Sequence, residues 1–308
     1  MAEISIIIPF LNEAENAPVL SKELSAFAAA NAHLAVEIIF VNDGSTDNSL
    51  EVFRSLPFPA GTKMISLSQN FGSHAALRAG ILNSTGKYVT FMYADLQDPL
   101  SLVLDMHKKI TEPNYDIVWS VREETQNSKS ETFFSRTYAQ LMKKYVSNKF
   151  PDKGFDVVMF NDKIRQQLNL NAESNSSIFL QILTMGFGQT FVTYKKQPRL
   201  QGKSKWTFAK KVKMLVDSFV AFSYAPIRFV TYMGFVFFAV GILWTIYFIA
   251  RKILVNDMQS GWPMLMSILL IGFGITNISL GIIAEYLWRT LDASRKRPVY
   301  IIDKIELL

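Results

Sequence analysis

Cysteine is absent from all 308 residues. Disulfides, zinc–thiolate sites and a thiol nucleophile are therefore excluded, and the absence accords with a reducing compartment. Histidine is scarce. His33, His74 and His107 stand at spacings that no metal-binding motif uses, so they read as surface or packing residues. Gly72 and Gly80 do not form a phosphate-cradling loop of the P-loop kind. Charge is missing altogether from residues 229–250, and residues 262–288 carry only Glu285. No basic, then apolar leader precedes the first apolar run, Ile4-Ser5-Ile6-Ile7-Ile8. A signal peptide is thus not expected, and the N-terminal domain is expected to stay in the cytosol.

Apolar residues, by contrast, are plentiful: 49% of the chain is hydrophobic and 24 residues are Phe. That richness directs the search to membrane segments. Residues 229–250 and 262–288 are each long enough to cross a hydrocarbon core of about 30 Å at about 1.5 Å per residue. The connector 251–261 is short, so the two runs are expected to form a hairpin. Trp244, Tyr247, Trp262, Tyr286 and Trp288 lie toward its ends, as interfacial aromatics do.

The net charge is +6, and basic residues crowd between Arg199 and Lys213, just before the apolar region. This placement favours a membrane surface over a nucleic-acid groove, and no nucleic-acid partner is expected. Residues 210–222 alternate Lys with Leu, Val and Phe at helical spacing. They read as an interfacial amphipathic helix, with an ordinary surface helix as the other reading. Lys203, Lys205, Lys210, Lys211 and Lys213 precede the hairpin, and Arg289, Arg295, Lys296 and Arg297 follow it. Only Arg251 and Lys252 occupy the connector. The positive-inside rule then places both flanks, and both termini, in the cytoplasm.

Before the hairpin, short apolar runs alternate with helical patterns. Strands are predicted at 4–8, 36–41, 63–67 and 88–92, with helices at about 13–30, 47–54 and 73–82. This alternation argues for an α/β chain with a parallel, doubly wound sheet. The pattern then loosens. Strands are expected at 116–120, 155–160 and 189–194, and helices at 131–146 and 177–185.

Ligands of such sheets sit outside the carboxyl ends of the strands. Three polar clusters fall there: Pro9-Phe10-Leu11-Asn12-Glu13, Asn42-Asp43-Gly44-Ser45-Thr46-Asp47 and Ala94-Asp95-Leu96-Gln97-Asp98-Pro99. Alone, each is ordinary turn or helix-start chemistry. Together at one rim they favour an anion-plus-metal site. A nucleotide diphosphate needs its charge neutralised, and a hard divalent cation held by carboxylates does this. Such a cation also stabilises the diphosphate as it departs.

These clusters, with Asn70-Phe71-Gly72 between them, resemble the motifs of family 2 glycosyltransferases. Within that family the chain resembles the polyprenyl-phosphate glycosyltransferases, the relatives of dolichol-phosphate mannose synthase. The likeness continues through Gly154-Phe155-Asp156, Glu173-Ser174-Asn175, the stretch from Arg199 to Trp206, Phe222 to Arg228 and Arg297-Pro298-Val299-Tyr300. It covers nearly the whole chain.

The resemblance implies a GT-A catalytic domain, Rossmann-like with a mostly parallel sheet, at 1–205. Interfacial amphipathic helices would follow at 206–228, a transmembrane hairpin at 229–288 and a cytoplasmic tail at 289–308. It implies an inverting enzyme of the inner membrane that moves a sugar, expected from a UDP-sugar, to a polyprenyl phosphate such as undecaprenyl phosphate. Membrane lipid and further copies of the chain are the other implied partners. Pro9, Leu11, Glu13, Asp43, Ala94, Gln97 and Arg122 would bind the donor, and Arg199, Lys203 and Lys205 would meet donor or lipid phosphates. Asp95 would be the catalytic metal ligand for Mg2+ or Mn2+. Asp156 would be the acceptor-side catalytic carboxylate, positioning a phosphate that is already anionic rather than acting as an obligatory base.

The chain departs from the family at one point: Tyr93 stands where the Asp-x-Asp motif usually begins. One carboxylate of the pair is missing, which supports an alternative reading, a weak or inactive membrane-bound protein that binds nucleotide sugar. A processive polysaccharide synthase is disfavoured, because Gln-x-x-Arg-Trp is absent and two spans are too few for a pore.

Overall fold

Ile4–Phe10 forms strand β1 with all seven residues buried. A strand covered on both faces reads as a continuous apolar run, and this one sits at the centre of its sheet. The structure is a computed structural model that describes residues 2–123, 129–151, 155, 157–171, 177–197, 225–255, 261–295 and 297–308. It divides into two compact units, Met1–Leu215 with Arg297–Leu308, and Val216–Lys296.

In the first unit β1 is followed by α1 (Ala17–Ala30), β2 (Val36–Asn42), α2 (Ser49–Ser55), β3 (Lys63–Leu67), α3 (Ser73–Leu82) and β4 (Tyr88–Phe91). Then come α4 (Ser101–Ile110), β5 (Ile117–Arg122), α5 (Lys129–Tyr145), β6 (Val158–Asn161), α6 (Asp162–Leu170), α7 (Ile178–Thr184) and β7 (Gln189–Tyr194). After the second unit the chain returns as β8 (Ile302–Leu307).

One sheet of eight strands results, in the order β7-β5-β6-β4-β1-β2-β3-β8. β1 pairs in parallel with β2 and β4, β2 with β3, and β5 with β7. Only β6 and β8 run against their neighbours. The sheet is therefore mostly parallel, as expected, with one antiparallel strand inserted and another closing an edge.

Helices cover both faces. On one, Leu20, Leu24 and Phe27 of α1, Phe53 of α2 and Leu102, Val103 and Met106 of α4 pack on Ile4, Ile6, Ile8 and Phe40. Phe10 stacks on Phe53 with ring centroids 4.2 Å apart. On the other face α3 lies so close to β1 that a Cβ on Gly80 would fall 2.3 Å from Ile7 Cγ2. Phe91, Phe160 and Phe179 meet there edge to face.

Several boundaries differ from expectation for local reasons. α1 begins at Ala17 rather than near Glu13, because Glu13 N–H donates to Ser49 Oγ at 2.8 Å and Pro18 favours a helix start. β1 runs past Pro9 to Phe10, since a parallel ladder tolerates the missing N–H at the strand's end. α4, α6 and β8 were not expected.

The strands' amino ends are tied by a buried carboxylate. Glu37 accepts from Lys63 Nζ at 2.7 Å, Ser5 Oγ at 2.5 Å and Thr85 N–H at 2.8 Å. Burial by itself would raise its pKa, but the bonds from Lys63, Ser5 and Thr85 outweigh burial and hold it below the ordinary value.

The second unit contains α8 (Ala225–Val255) and α9 (Trp262–Ser294). Within α9, Ile271–Asp292 is long and apolar enough to cross a membrane, and none of it is buried inside the protein. A shorter apolar stretch, Arg228–Gly241, lies in α8. Two spans were expected; one helix among the described residues meets the criterion of length and hydropathy. Large apolar side chains nonetheless point outward along both helices, including Phe235, Leu243, Phe273 and Leu287. Glu285 near the end of the apolar run is paired with Arg289 at 2.9 Å, one helical turn away.

Candidate active site

β1, β2 and β4 run in parallel side by side, so their carboxyl ends open onto one rim. Neighbouring strands lie about 5 Å apart, which sets the loops after β2 and β4 about 10 Å apart across β1. Those three loops carry the three clusters picked out in the sequence.

The first two loops are stitched together. Asn12, in the left-handed region at φ 53°, donates its N–H to Ser45 Oγ at 3.0 Å and accepts from Thr46 N–H at 2.9 Å. Glu13 accepts from Asn16 Nδ2 at 2.7 Å. Pro9 is buried in β1 opposite Val41, while Leu11 and Glu13 are half-buried at the rim.

Asp43 is only 4% exposed. Its carboxylate accepts from Phe71 N–H at 2.8 Å and from Gly72 N–H at 3.0 Å. Burial raises its pKa, and the two amide bonds oppose that rise without cancelling it. Since a carboxylate offers about four lone-pair sites, two amides leave it capacity for a further donor. Gly44 turns the chain at φ 68°, and a Cβ there would sit 2.4 Å from the carbonyl carbon of Gln69. The close approach of these loops thus needs glycine twice over.

In the third loop Ala94 is buried and Asp95 and Gln97 are half-buried. Asp95 Oδ1 accepts from Gln97 N–H at 3.3 Å across Leu96, which has φ 54°. Asp98 turns inward: its side chain has no exposure, it accepts from Tyr194 Oη at 2.5 Å, and Lys196 Nζ stands 3.6 Å away. Arg122 ends β5 and lies in register with Tyr194 of β7. His74, on the first turn of α3, packs against Phe179, and burial next to Arg78 holds its pKa down to about 4. It is neutral at physiological pH, in keeping with a packing role.

The described residues include no cluster of three or more acidic or histidine side chains shaped for a metal. The oxygens of Asp95 and Gln97 are hard donors, and Asp98 is turned away. Such a set suits Mg2+ or Mn2+ taking one carboxylate from the protein and its other ligands from a diphosphate and water. The residues fit a cation that arrives with its ligand.

Pro9, Leu11, Glu13, Asp43, Ala94, Asp95, Gln97 and Arg122 are therefore all at or beside the carboxyl ends of the sheet. Asp156, Arg199, Lys203 and Lys205 lie outside the described residues, as do residues 206–224 of the expected interfacial helices. Sequence reasoning missed Tyr194, because a strand-ending Tyr has no motif of its own, and gave Asp98 no separate role.

Residues 5–169 match the profile of glycosyl transferase family 2. The chain belongs to that family. A second profile, the GtrB C-terminal hairpin, matches residues 225–289. An uncharacterized glycosyltransferase of Bacillus subtilis (strain 168), YkcC, is 33% identical over 87% of this chain and 83% of its own. A prophage bactoprenol glucosyl transferase homolog of Escherichia coli (strain K12) is 29% identical over 99% of both chains. The undecaprenyl-phosphate 4-deoxy-4-formamido-L-arabinose transferase of Serratia proteamaculans (strain 568) is 28% identical over 98% of this chain and 94% of its own.

Among solved structures, glucosyl-3-phosphoglycerate synthase from Mycobacterium tuberculosis, crystallised with Mn2+, UDP and phosphoglyceric acid, aligns with a TM-score of 0.51. At 17% identity over 71% of this chain and 76% of that one, the likeness is one of fold. The first unit of this family 2 glycosyltransferase is a GT-A domain.

Proposed function

We propose that this glycosyltransferase moves a sugar from a UDP-sugar to a polyprenyl phosphate such as undecaprenyl phosphate, inverting the anomeric centre. The observation that carries the reading is the match to two profiles in succession, a family 2 domain and then a GtrB hairpin. Full-length relatives with the same acceptor class in their names support it. So does the outward apolar surface of α8 and α9, which water disfavours and lipid accepts.

In this reaction an oxygen of the lipid phosphate attacks the anomeric carbon while the bond from that carbon to the UDP oxygen breaks. The attacking group is anionic beforehand, so the site's task is to position it and to stabilise the leaving diphosphate. Asp43, Glu13 and the buried Pro9 line the nucleoside end. Asp95, Gln97 and Arg122 face the diphosphate, and the bound divalent cation would neutralise its growing charge. Arg199, Lys203 and Lys205 meet phosphate oxygens, and Asp156 orients the acceptor. Arg122 and Arg199 suit this task through their forked donors.

The reading also places the enzyme in the inner membrane by a two-helix hairpin, with the catalytic domain and both termini cytoplasmic. Basic residues on both flanks of the hairpin support that orientation.

The test uses the full chain in lipid nanodiscs with undecaprenyl phosphate and a panel of radiolabelled nucleotide sugars. Organic-extractable label from a UDP-sugar is expected, and Asp95→Ala is expected to abolish it with the thermal unfolding profile intact. Retained UDP binding with no lipid-linked product from any donor would refute the reading.

A further inference from the structure

The loop that carries Asp95 and Gln97 is bent in a way that has to be held. Leu96 sits at φ 54°, a left-handed conformation rare for a residue with a bulky side chain. Backbone in such a state persists only where its surroundings over-determine it. The next helix adds no side-chain cap to the loop. α4 starts three residues beyond Asp98, at Ser101, and its N-cap position is Leu100, which makes no side-chain cap bond.

Beside the loop's own bond from Leu96 N–H to Tyr93 C=O at 3.3 Å, β7 and the residues just after brace it. Asp98, whose side chain has no exposure, accepts from Tyr194 Oη at 2.5 Å and has Lys196 Nζ at 3.6 Å. Alongside, Gln197 N–H donates to Gln97 C=O at 2.8 Å, and Gln97 Nε2 reaches Gln197 C=O at 3.4 Å. Tyr194 is fixed in turn: it is 6% exposed, pairs in register with Arg122, and its C=O accepts from Glu123 N–H at 3.0 Å. One residue thus joins the loop of Asp95 to the strand end of Arg122.

We propose that Tyr194 and Asp98 are positioning residues: their hydrogen bond is a strut that sets Asp95 and Gln97 at a fixed distance from Arg122. The inference rests on the reading above, in which those three side chains face one diphosphate. Both contacts fall on Asp98 Oδ1, and a buried carboxylate oxygen bonded by a phenol and paired with an ammonium is a stiff anchor, because stripping it of these partners is costly. Asp98 therefore acts on the reaction through the loop, without touching the donor.

The experiment compares wild type, Tyr194→Phe, Asp98→Asn and Asp95→Ala as full-length protein in nanodiscs. Amide hydrogen exchange is followed over residues 93–99 and over β1 and β2, together with steady-state transfer at varied donor. Tyr194→Phe removes one oxygen and keeps the ring in the core. It is expected to speed exchange in 93–99 alone and to raise donor KM about tenfold, with kcat within about twofold, the scale of one hydrogen bond to a charged group. Asp98→Asn is expected to act in the same direction.

Unchanged exchange over 93–99 in both variants overturns the strut. So does a loss of protection spread evenly through β1 and β2 with donor KM unmoved, because that is a merely structural role. Turnover retained in Asp95→Ala refutes the diphosphate reading instead, and the exchange data then decide the strut separately.

Discussion

Asp43, at the end of β2, caps helix α3 from across the rim: its carboxylate accepts the N–H of Gly72 at 3.0 Å and that of Phe71 at 2.8 Å. Gly72 holds the N-cap position and brings no side chain of its own. A buried anion here satisfies the amides of the N-cap residue and of the residue before it, and meets the positive end of the helix dipole. Asp43→Ala strands both amides. It is expected to cost about 2 kcal/mol of stability, at the upper end for a lost cap, and to weaken UDP binding. Asp43→Asn keeps one acceptor and is expected to lose less. Thermal unfolding and calorimetric UDP titration check both variants; wild-type stability in the Ala variant would remove the capping role.

Gly44 lies one residue further on, where the loops after β2 and β3 touch. A methyl there meets backbone atoms of Gln69 and Asn70 at 2.4 and 2.5 Å, and neither can move as a side-chain tip can. The positive φ adds its own cost. Gly44→Ala is expected to destabilise the chain by about 2 to 3 kcal/mol and to weaken UDP binding at least as much as Asp43→Asn. A variant that unfolds at the wild-type temperature and binds UDP normally would contradict the close packing of these loops.

The sheet's first half was legible because local pattern and global place agree there. The run Ile4-Ser5-Ile6-Ile7-Ile8 is mostly β-branched, apolar and short, as a strand covered on both faces is, and Asn42-Asp43-Gly44-Ser45 closes the next strand with turn or helix-start chemistry. Beyond Leu100 that agreement lapses. β6 has four residues and runs antiparallel between β4 and β5, a placement fixed by tertiary pairing and not by its own sequence. β8 was hidden for another reason: it pairs with β3, some 240 residues earlier in the chain, and its alternation of Ile with charged residues suits a tail as well as an edge strand. Asp98 was visible as part of a motif. Its partner Tyr194 was not, since nothing in a sequence joins residues 96 positions apart.

Glu37 gives the chain a pH signature at the opposite end of the sheet from the site. Its folded-state pKa lies below the ordinary 4.5, which the unfolded chain keeps. A carboxyl depressed by folding contributes stability above its unfolded pKa and loses that contribution as pH falls through the folded value. Glu37→Gln is accordingly expected to be less stable than wild type by about 2 kcal/mol at pH 7. The gap is expected to narrow steadily once the pH drops below about 4.5. Unfolding temperatures of both proteins across pH 3 to 8 measure it; a gap that stays constant down to pH 3 would show that Glu37 stabilises by shape and not by charge.

Tyr93 makes the last prediction, because it stands where the family's Asp-x-Asp motif usually carries its first carboxylate. On the proposed reading Asp95 is the metal's carboxylate from this rim, and a divalent cation then depends on the diphosphate for most of its ligands, so its affinity for the enzyme without donor is expected to be low. Exhaustive EDTA treatment is expected to stop transfer, and Mn2+ or Mg2+ to restore it only at concentrations that also load the nucleotide. Tyr93→Asp supplies a second hard, charged oxygen two residues from Asp95, on the same half-buried rim. It is expected to lower the Mn2+ concentration for half-maximal transfer by about tenfold, the scale of one added charge–charge contact near a protein surface. Manganese binding followed by paramagnetic resonance, without donor, gives a second readout that does not depend on turnover. Full transfer in excess EDTA, or a Tyr93→Asp protein that binds Mn2+ no better than wild type, would place the metal away from Asp95 or out of the reaction altogether.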